Sequence, residues 1–196
     1  MKLILASQSL TRRHMLRSAG VLFEEATALV DERREKEGLQ HDGFAAHAIA
    51  KSLAEMKALS LSEKGTLVIG CDQTLEYGDG FMLDKPRSER DAYDQLKALS
   101  GRSHFLHSAI AIAENGKIVW RQVDSARLTM RELSDRFIKN YLELEYERIR
   151  HCVGAYQIEG RGAQLFDWIE GSHFAIQGLP LLPLLKYLRE RGLLLA

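Results

Sequence analysis

The sequence predicts an α/β fold with a mixed β-sheet, and three observations carry that expectation. Segments of helical periodicity alternate with short apolar or β-branched runs, which argues against a sandwich or a bundle. Two tight-turn signals, Gly78-Asp79-Gly80 and Asn115-Gly116, sit between such runs and mark antiparallel hairpins, so the sheet is not all parallel. No internal repeat, low-complexity segment or Pro- or Ser-rich linker divides the chain, so residues 1–196 are expected to form one domain, two lobes around one cleft.

Residues 2–6 form a short apolar run, expected as the first strand, and Ser9 is a good N-cap for a helix that carries Met15 and Leu16 and stops at Gly20. A second extended segment is expected over residues 21–29, and the charged stretch 31–40 as a loop or frayed helix start. Phe44, Ala45, Ala48, Ile49, Leu53, Met56 and Leu59 recur at helical spacing and predict a helix over residues 44–61, with Lys51 on its polar face. Residues 66–70 read as a buried central strand that delivers Asp72 at its end, followed by a hairpin over residues 75–83. Ser88 with Asp91 three residues later resembles a capping box opening a helix that continues to Gly101. Two long strands, 105–113 and 118–128, flank Asn115-Gly116; Ser134 then opens a helix with Phe137, Ile138, Tyr141 and Leu142 on one side. A Gly-rich stretch (Gly154, Gly160, Gly162) leads to a final amphipathic helix from about Pro180.

Of the 196 residues, 45% are hydrophobic, which suffices for a real core and excludes disorder. Lys plus Arg and Asp plus Glu both total 27, so the net charge is zero and nothing draws the chain to nucleic acid or an anionic membrane. An anionic partner must therefore be met by a local concentration of cations. The Leu-rich end is interrupted by Pro180, Pro183, Lys186, Arg189, Glu190 and Arg191 and cannot span a bilayer. The two cysteines, Cys71 and Cys152, form neither a disulfide framework nor a zinc motif, and a reducing, cytoplasmic setting is expected.

Ser7-Gln8-Ser9-Leu10-Thr11-Arg12-Arg13 lies where a strand gives way to a helix, so free N–H groups, hydroxyls and the guanidiniums of Arg12 and Arg13 can converge on a phosphate. An ordinary N-cap followed by two solvated arginines gives the same pattern. Asp31-Glu32 suits a Mg²⁺ ion or is simply solvated, and Asp72 beyond a buried strand suits a ligand crevice or a turn cap. Lys85, stiffened by Pro86, can be aimed at a ligand. His104 and His107, three apart on one expected strand, point to opposite faces. Cys71 reads as a small buried apolar side chain, and Gly160-Arg161-Gly162 lacks the context of a dinucleotide fingerprint.

Seven segments share one order and spacing. Leu3-Ile4-Leu5-Ala6-Ser7-Gln8-Ser9 with Arg12-Arg13, Val30-Asp31-Glu32, Ala50-Lys51, Gly70-Cys71-Asp72-Gln73, Asp84-Lys85-Pro86, Leu99-Ser100-Gly101-Arg102 and Gly178-Leu179-Pro180-Leu181 resemble the Maf family of nucleotide pyrophosphatases. The resemblance implies a fold similar to the inosine triphosphate pyrophosphatases, an elongated mixed β-sheet flanked by helices with a deep cleft, and often a dimer, so that a homodimer is a candidate assembly. It implies hydrolysis of a nucleoside triphosphate between its α and β phosphates, with Mg²⁺ or Mn²⁺, giving a monophosphate and pyrophosphate; the family is linked to removal of unwanted nucleotides and to septum formation. It implies that Asp72 accepts the proton of the attacking water, that Lys85 and Glu32 share the catalytic work, and that Glu32 and Asp72 hold the metal. Ser7, Arg12, Lys51 and Lys85 match its phosphate-contacting positions, beside Arg13.

Leu10 and Thr11 depart from the family pattern of Pro followed by a bulky or basic residue. Thr11 cannot stack on a methylated base as the Trp of the 7-methyl-GTP branch can, while Gln73 and Glu159 match that branch. A carboxylate at Glu159 accepts from adjacent donors, as on guanine, and the reading leans to a 7-methyl-GTP-like or otherwise modified base. A dTTP- or UTP-selective pyrophosphatase and a catalytically silent nucleotide-binding regulator of cell division are the alternatives.

Overall fold

The structure, a computed structural model, describes residues 2–195. In chain order its elements are β1 (Lys2–Ala6), α1 (Leu10–Ser18), β2 (Glu24–Ala26), α2 (Glu32–His41), α3 (Ala46–Leu59), β3 (Thr66–Tyr77), β4 (Phe81–Leu83), α4 (Glu89–Leu99), β5 (Ser103–Glu114), β6 (Lys117–Met130), α5 (Asp135–Ile149), β7 (Phe166–Glu170), α6 (His173–Ile176) and α7 (Leu181–Glu190). The strands form one seven-stranded sheet in the order β2-β1-β3-β5-β6-β7, with β4 on β3. β1 lies parallel to β2 and β3; every other pairing is antiparallel, which makes the sheet mixed as expected.

The starts and turns follow from local chemistry. Ser9, Ser88 and Ser134 each accept a hydrogen bond from the backbone N–H three residues on, capping α1, α4 and α5. Asp91 returns the favour at α4 by accepting from the Arg87 N–H at 2.8 Å, one residue earlier than an ideal capping box requires. Asn115 and Gly116, at φ 50° and 74°, make the β5–β6 turn with both residues left-handed, which is why Asn-Gly stands there.

Four expectations are corrected. Residues 31–40 are neither a loop nor only a frayed helix start: Asp31 accepts from the Arg34 N–H at 3.2 Å and opens α2, a complete helix without a single buried residue. The periodicity read from sequence alone missed it because no apolar stripe marks its inner face. The helix expected over 44–61 spans Ala46–Leu59. Asp72 does not follow the end of a strand; β3 runs without a break from Thr66 to Tyr77, absorbing the first arm of the hairpin. β7 is an additional edge strand, with most of its residues exposed and so without an alternating apolar signal.

The two edges of β3 explain where a cleft opens. On one side β5 pairs with β3 from Leu67 to Tyr77. On the other, β1 pairs with it up to Gly70 and β4 takes over only at Leu75, leaving residues 71–74 without a neighbouring strand. Side chains alternate along β3. Val68, Gly70, Asp72 and Thr74 face α3; Leu67, Ile69, Cys71, Gln73 and Leu75 face the opposite layer.

That opposite face carries two hydrophobic clusters. One gathers Leu5, Leu16, Leu67, Ile69, Ile110, Ile112 and Leu184 under α1 and α7. The other gathers Leu75, Leu96, Leu106, Leu128, Ile138 and Tyr156 under α4 and α5. Full burial of each such side chain stabilises the fold by about 1.5–3 kcal/mol. Between the clusters Gln73 and Ser108 form a polar seam, so the two cores are separated on one continuous sheet. On the α3 face the contact is made of alanines, Ala50, Ala54 and Ala58 against Ala109, Ala111 and Ala113. Small side chains let α3 come so close that a Cβ on Gly70 would lie 2.1 Å from the Ala54 carbonyl oxygen.

Candidate functional site

The gap beside β3 is the floor of a cavity of about 980 Å³, walled by the β1–α1 turn, α2, the end of α3, residues 84–87 and the segment 148–159. Its chemistry begins at the unpaired backbone. The Cys71 carbonyl, which no strand engages, accepts from Arg12 Nη1 at 3.1 Å and from Lys57 Nζ at 3.4 Å. Arg12 also donates through Nε to the Gly178 carbonyl at 2.8 Å and through Nη1 to Ser7 Oγ at 3.4 Å. It thereby ties the exit of β1, the gap in β3 and the α6–α7 turn together. Gly178, at φ 95°, is required at this point: a Cβ would sit 3.3 Å from the guanidinium.

Lys57 is the centre of the charge arrangement. Only 5% exposed, it lies 2.7 Å from Asp72 Oδ1 and 3.0 Å from Glu32 Oε1, so a single ammonium joins two carboxylates from different elements. Burial pushes the Glu32 carboxyl up, but Lys57, with Lys85 and Arg12 further off, outweighs it and holds Glu32 below the usual carboxylate range. Cys71 is fully buried, and burial pushes its thiol up to about 11, so it is no nucleophile at neutral pH.

Of the residues singled out from the sequence, Ser7, Thr11, Arg12, Glu32, Asp72, Gln73, Lys85 and Glu159 line this one cavity. Gln73 sits there with its amide nitrogen engaged by Ser108 Oγ and by the Ala175 and Ile176 carbonyls at 2.8, 3.1 and 3.0 Å, which leaves its oxygen as the atom able to meet a ligand. Two residues are not brought in. Arg13 turns to the Glu25 carboxylate at 2.8 Å and the Gln8 carbonyl at 2.7 Å, and Lys51 is absent from the cavity wall. Adjacent helix positions point in different directions, which is why Arg12 enters and Arg13 does not.

The lysine of α3 that reaches the cleft is Lys57, which the sequence reading missed. A signal for it existed: Ala46, Ile49, Ala50, Leu53, Ala54, Lys57 and Ala58 form the buried face of the helix, and a lone lysine among apolar residues on such a face needs a carboxylate partner. Lys51 stands off that face.

His104 and His107 lie on opposite faces as expected. His104 Nε2 is 2.7 Å from the Tyr156 hydroxyl within the α4–α5 core, whereas His107 Nε2 is 3.1 Å from Glu76 Oε2. No helix among the described residues is long and apolar enough to cross a membrane.

An open mixed sheet whose central strand loses its neighbour over a crevice lined by arginine, lysines and paired carboxylates defines an anion-binding α/β protein. The chain belongs to the Maf-like protein family, whose model matches residues 2–191. It is 46% identical over 195 residues to a protein of Sphingopyxis alaskensis named nucleoside triphosphate pyrophosphatase, with 98% of each chain covered. It is 48% identical to a protein of the same name from Rhodopseudomonas palustris, covering 98% of this chain and 95% of that one. A Brucella abortus protein named 7-methyl-GTP pyrophosphatase is 46% identical over 191 residues, with 96% of each covered. A solved nucleoside triphosphatase from Mycobacterium abscessus, titled dITP/XTP pyrophosphatase, aligns with 98% of this chain and 96% of its own at a TM-score of 0.40 and 15% identity.

Proposed function

We propose that this protein is a nucleoside triphosphate pyrophosphatase that cleaves the α–β phosphoanhydride to release a nucleoside monophosphate and pyrophosphate. The observation that carries the reading is the Asp72–Lys57–Glu32 arrangement in the gap of β3, within one cavity that also holds Arg12, Ser7 and Lys85. The names of relatives that match nearly the full length of the chain support the same class of reaction. The two hydrophobic clusters on one sheet support reading the chain as one unit of two lobes, with the cleft between them.

Asp72 is the proposed proton acceptor. Lys57 holds its Oδ1 at 2.7 Å and leaves Oδ2 to take a proton from the water that attacks phosphorus. Lys57 fixes the geometry of Asp72, and Lys85 and Arg12 set positive charge where negative charge develops on the phosphate oxygens. Ser7 Oγ and the first turn of α1 supply neutral donors beside them.

The donor set fits a divalent cation. Glu32 Oε1 and Asp72 Oδ1 already share Lys57 Nζ, so an ion would lie beside the ammonium, held by Glu32 Oε2 and Asp72; no cluster of three or more acidic, His or Cys side chains exists among the described residues. Mg²⁺ and Mn²⁺ suit such a site because carboxylates supply one or two ligands while substrate phosphates and water supply the rest. When bound there, the ion would withdraw charge from the phosphate oxygens and from the pyrophosphate leaving group.

Glu159 and the Gln73 oxygen are both acceptors, which favours a base edge with adjacent donors and hence a guanine-type or 7-methylated guanine nucleotide. The test is pyrophosphate release from GTP, 7-methyl-GTP, UTP, dTTP and CTP with Mg²⁺. Release is expected, and Asp72→Asn should lower it by about 10²–10⁴-fold while the fold is kept. Saturable binding with every triphosphate recovered intact would favour the regulator instead.

A further inference from the structure

Glu145 takes no part in the chemistry above, yet it is a buried carboxylate, 7% exposed, on the inner face of α5. Two arginines hold it. Arg148, one turn on along the same helix, lies 3.3 Å from Oε2 and itself lines the cavity; Arg161 lies 3.2 Å from Oε1 and comes from the segment that carries Glu159. Tyr141, Glu145 and Arg148 stand at i, i+4 and i+7, one stripe of α5. The Gln157 backbone N–H is directed at the Tyr141 hydroxyl oxygen, and Gln157 Nε2 donates to Cys152 Sγ at 3.5 Å.

The segment these contacts hold has an unusual backbone. Gly154 and Ala155 are consecutive left-handed residues, at φ 76° and 58°, and the second is not glycine. A few residues on, the backbone doubles back so tightly that a Cβ on Gly162 would meet the Gln157 carbonyl oxygen at 1.5 Å. Glu159 lies on the cavity wall inside this fold-back, followed by a 3₁₀ stretch from Gly160 to Leu165. A carboxylate that reads a base edge must be fixed to within a fraction of an ångström, and here the fixing comes from outside the segment.

We infer that Glu145 is a positioning residue for base selection: through Arg161 it sets where Glu159 stands, so a side chain that does not itself line the cleft influences which base the cleft accepts. The inference rests on the proposed reading of Glu159. Neither Arg161 nor Glu145 lines the cavity. The phosphate end of the cleft, built on Arg12, Lys57 and Lys85, shares no contact with this pair.

The experiment compares GTP with UTP by kcat/KM in the full-length protein, and in parallel compares the binding of GMP and UMP by calorimetry, which needs no turnover. Glu145→Gln and Arg161→Gln should each reduce the preference between the two bases by roughly three- to tenfold, through KM and monophosphate affinity, with kcat unchanged. The double variant should be no worse than the more affected single one, because both remove the same contact. Glu145→Asp should restore most of the preference. A fall in melting temperature with the preference intact, or an equal loss of kcat on both nucleotides, would overturn the inference. Glu159→Gln separates it from its foundation. If that variant keeps the wild-type preference, Glu159 does not read the base and the inference falls with it. If Glu159→Gln loses the preference while Glu145→Gln keeps it, only the role of Glu145 fails.

Discussion

The two ends of the sheet solve different problems with different materials. At the parallel end, β1 and β3 stop pairing at Gly70, and the freed backbone and the Asp72–Lys57–Glu32 triad, with Asp72 and Lys57 buried, are held by α3 packed at alanine distance. At the antiparallel end, β5 and β6 pair along nearly their full length, and the cleft wall is an irregular segment tied to α5 by side chains. Helix and strand backbones define the first end, and a few side-chain contacts define the second. Chemistry common to all nucleoside triphosphates fits the first arrangement, and selection among bases fits the second.

The largest effect should come from breaking the triad. Lys57→Met leaves the buried Asp72 carboxylate without its partner, and urea denaturation should show a loss of about 3–5 kcal/mol together with loss of pyrophosphate release. Loss of turnover at unchanged stability would instead mean that water or a metal ion replaces the ammonium, making the triad functional more than structural.

Acid should separate the two ends. Burial lowers the His104 imidazole to about 4, so the folded state prefers it neutral. Its contribution is complete above the unfolded value of about 6.5 and is lost as pH falls toward 4, an effect of roughly 3 kcal/mol. Glu32 is held low, so its contribution is present above the ordinary carboxylate value of 4.5 and is lost only below it. Melting temperature against pH should therefore fall in two windows. His104→Gln should flatten the upper one, at the antiparallel end, and Glu32→Gln the lower one, at the parallel end.

The smallest effect tests the close approach itself. Gly70→Ala places a methyl group against the Ala54 and Ala58 backbone and should cost about 1–3 kcal/mol by denaturant titration. Because Lys57 lies between those two residues, turnover should fall with the stability. A stable variant with full turnover would show that α3 moves as a body without disturbing the triad.

Much of this was legible in the residues. The serine caps, the Asn-Gly turn, the long β5–β6 hairpin and the polar positions around Ser7, Arg12, Asp72 and Lys85 all follow from patterns within a few residues of one another. The helix α2 escaped because it buries nothing, and β7 because most of its residues are exposed, so neither carries the periodicity that burial imposes.

The sequence by itself determined the element types, the mixed character of the sheet, the family and most of the cleft-lining residues, because these depend on local propensity and on motifs of fixed spacing. Only the tertiary structure decided that Lys57 and not Lys51 enters the cleft, that Arg13 leaves it for Glu25, and that Asp72 lies in the middle of a strand whose neighbour has ended. Each of those depends on which face of an element meets another element far away in the chain, and that is set by packing, which spacing along the sequence does not encode.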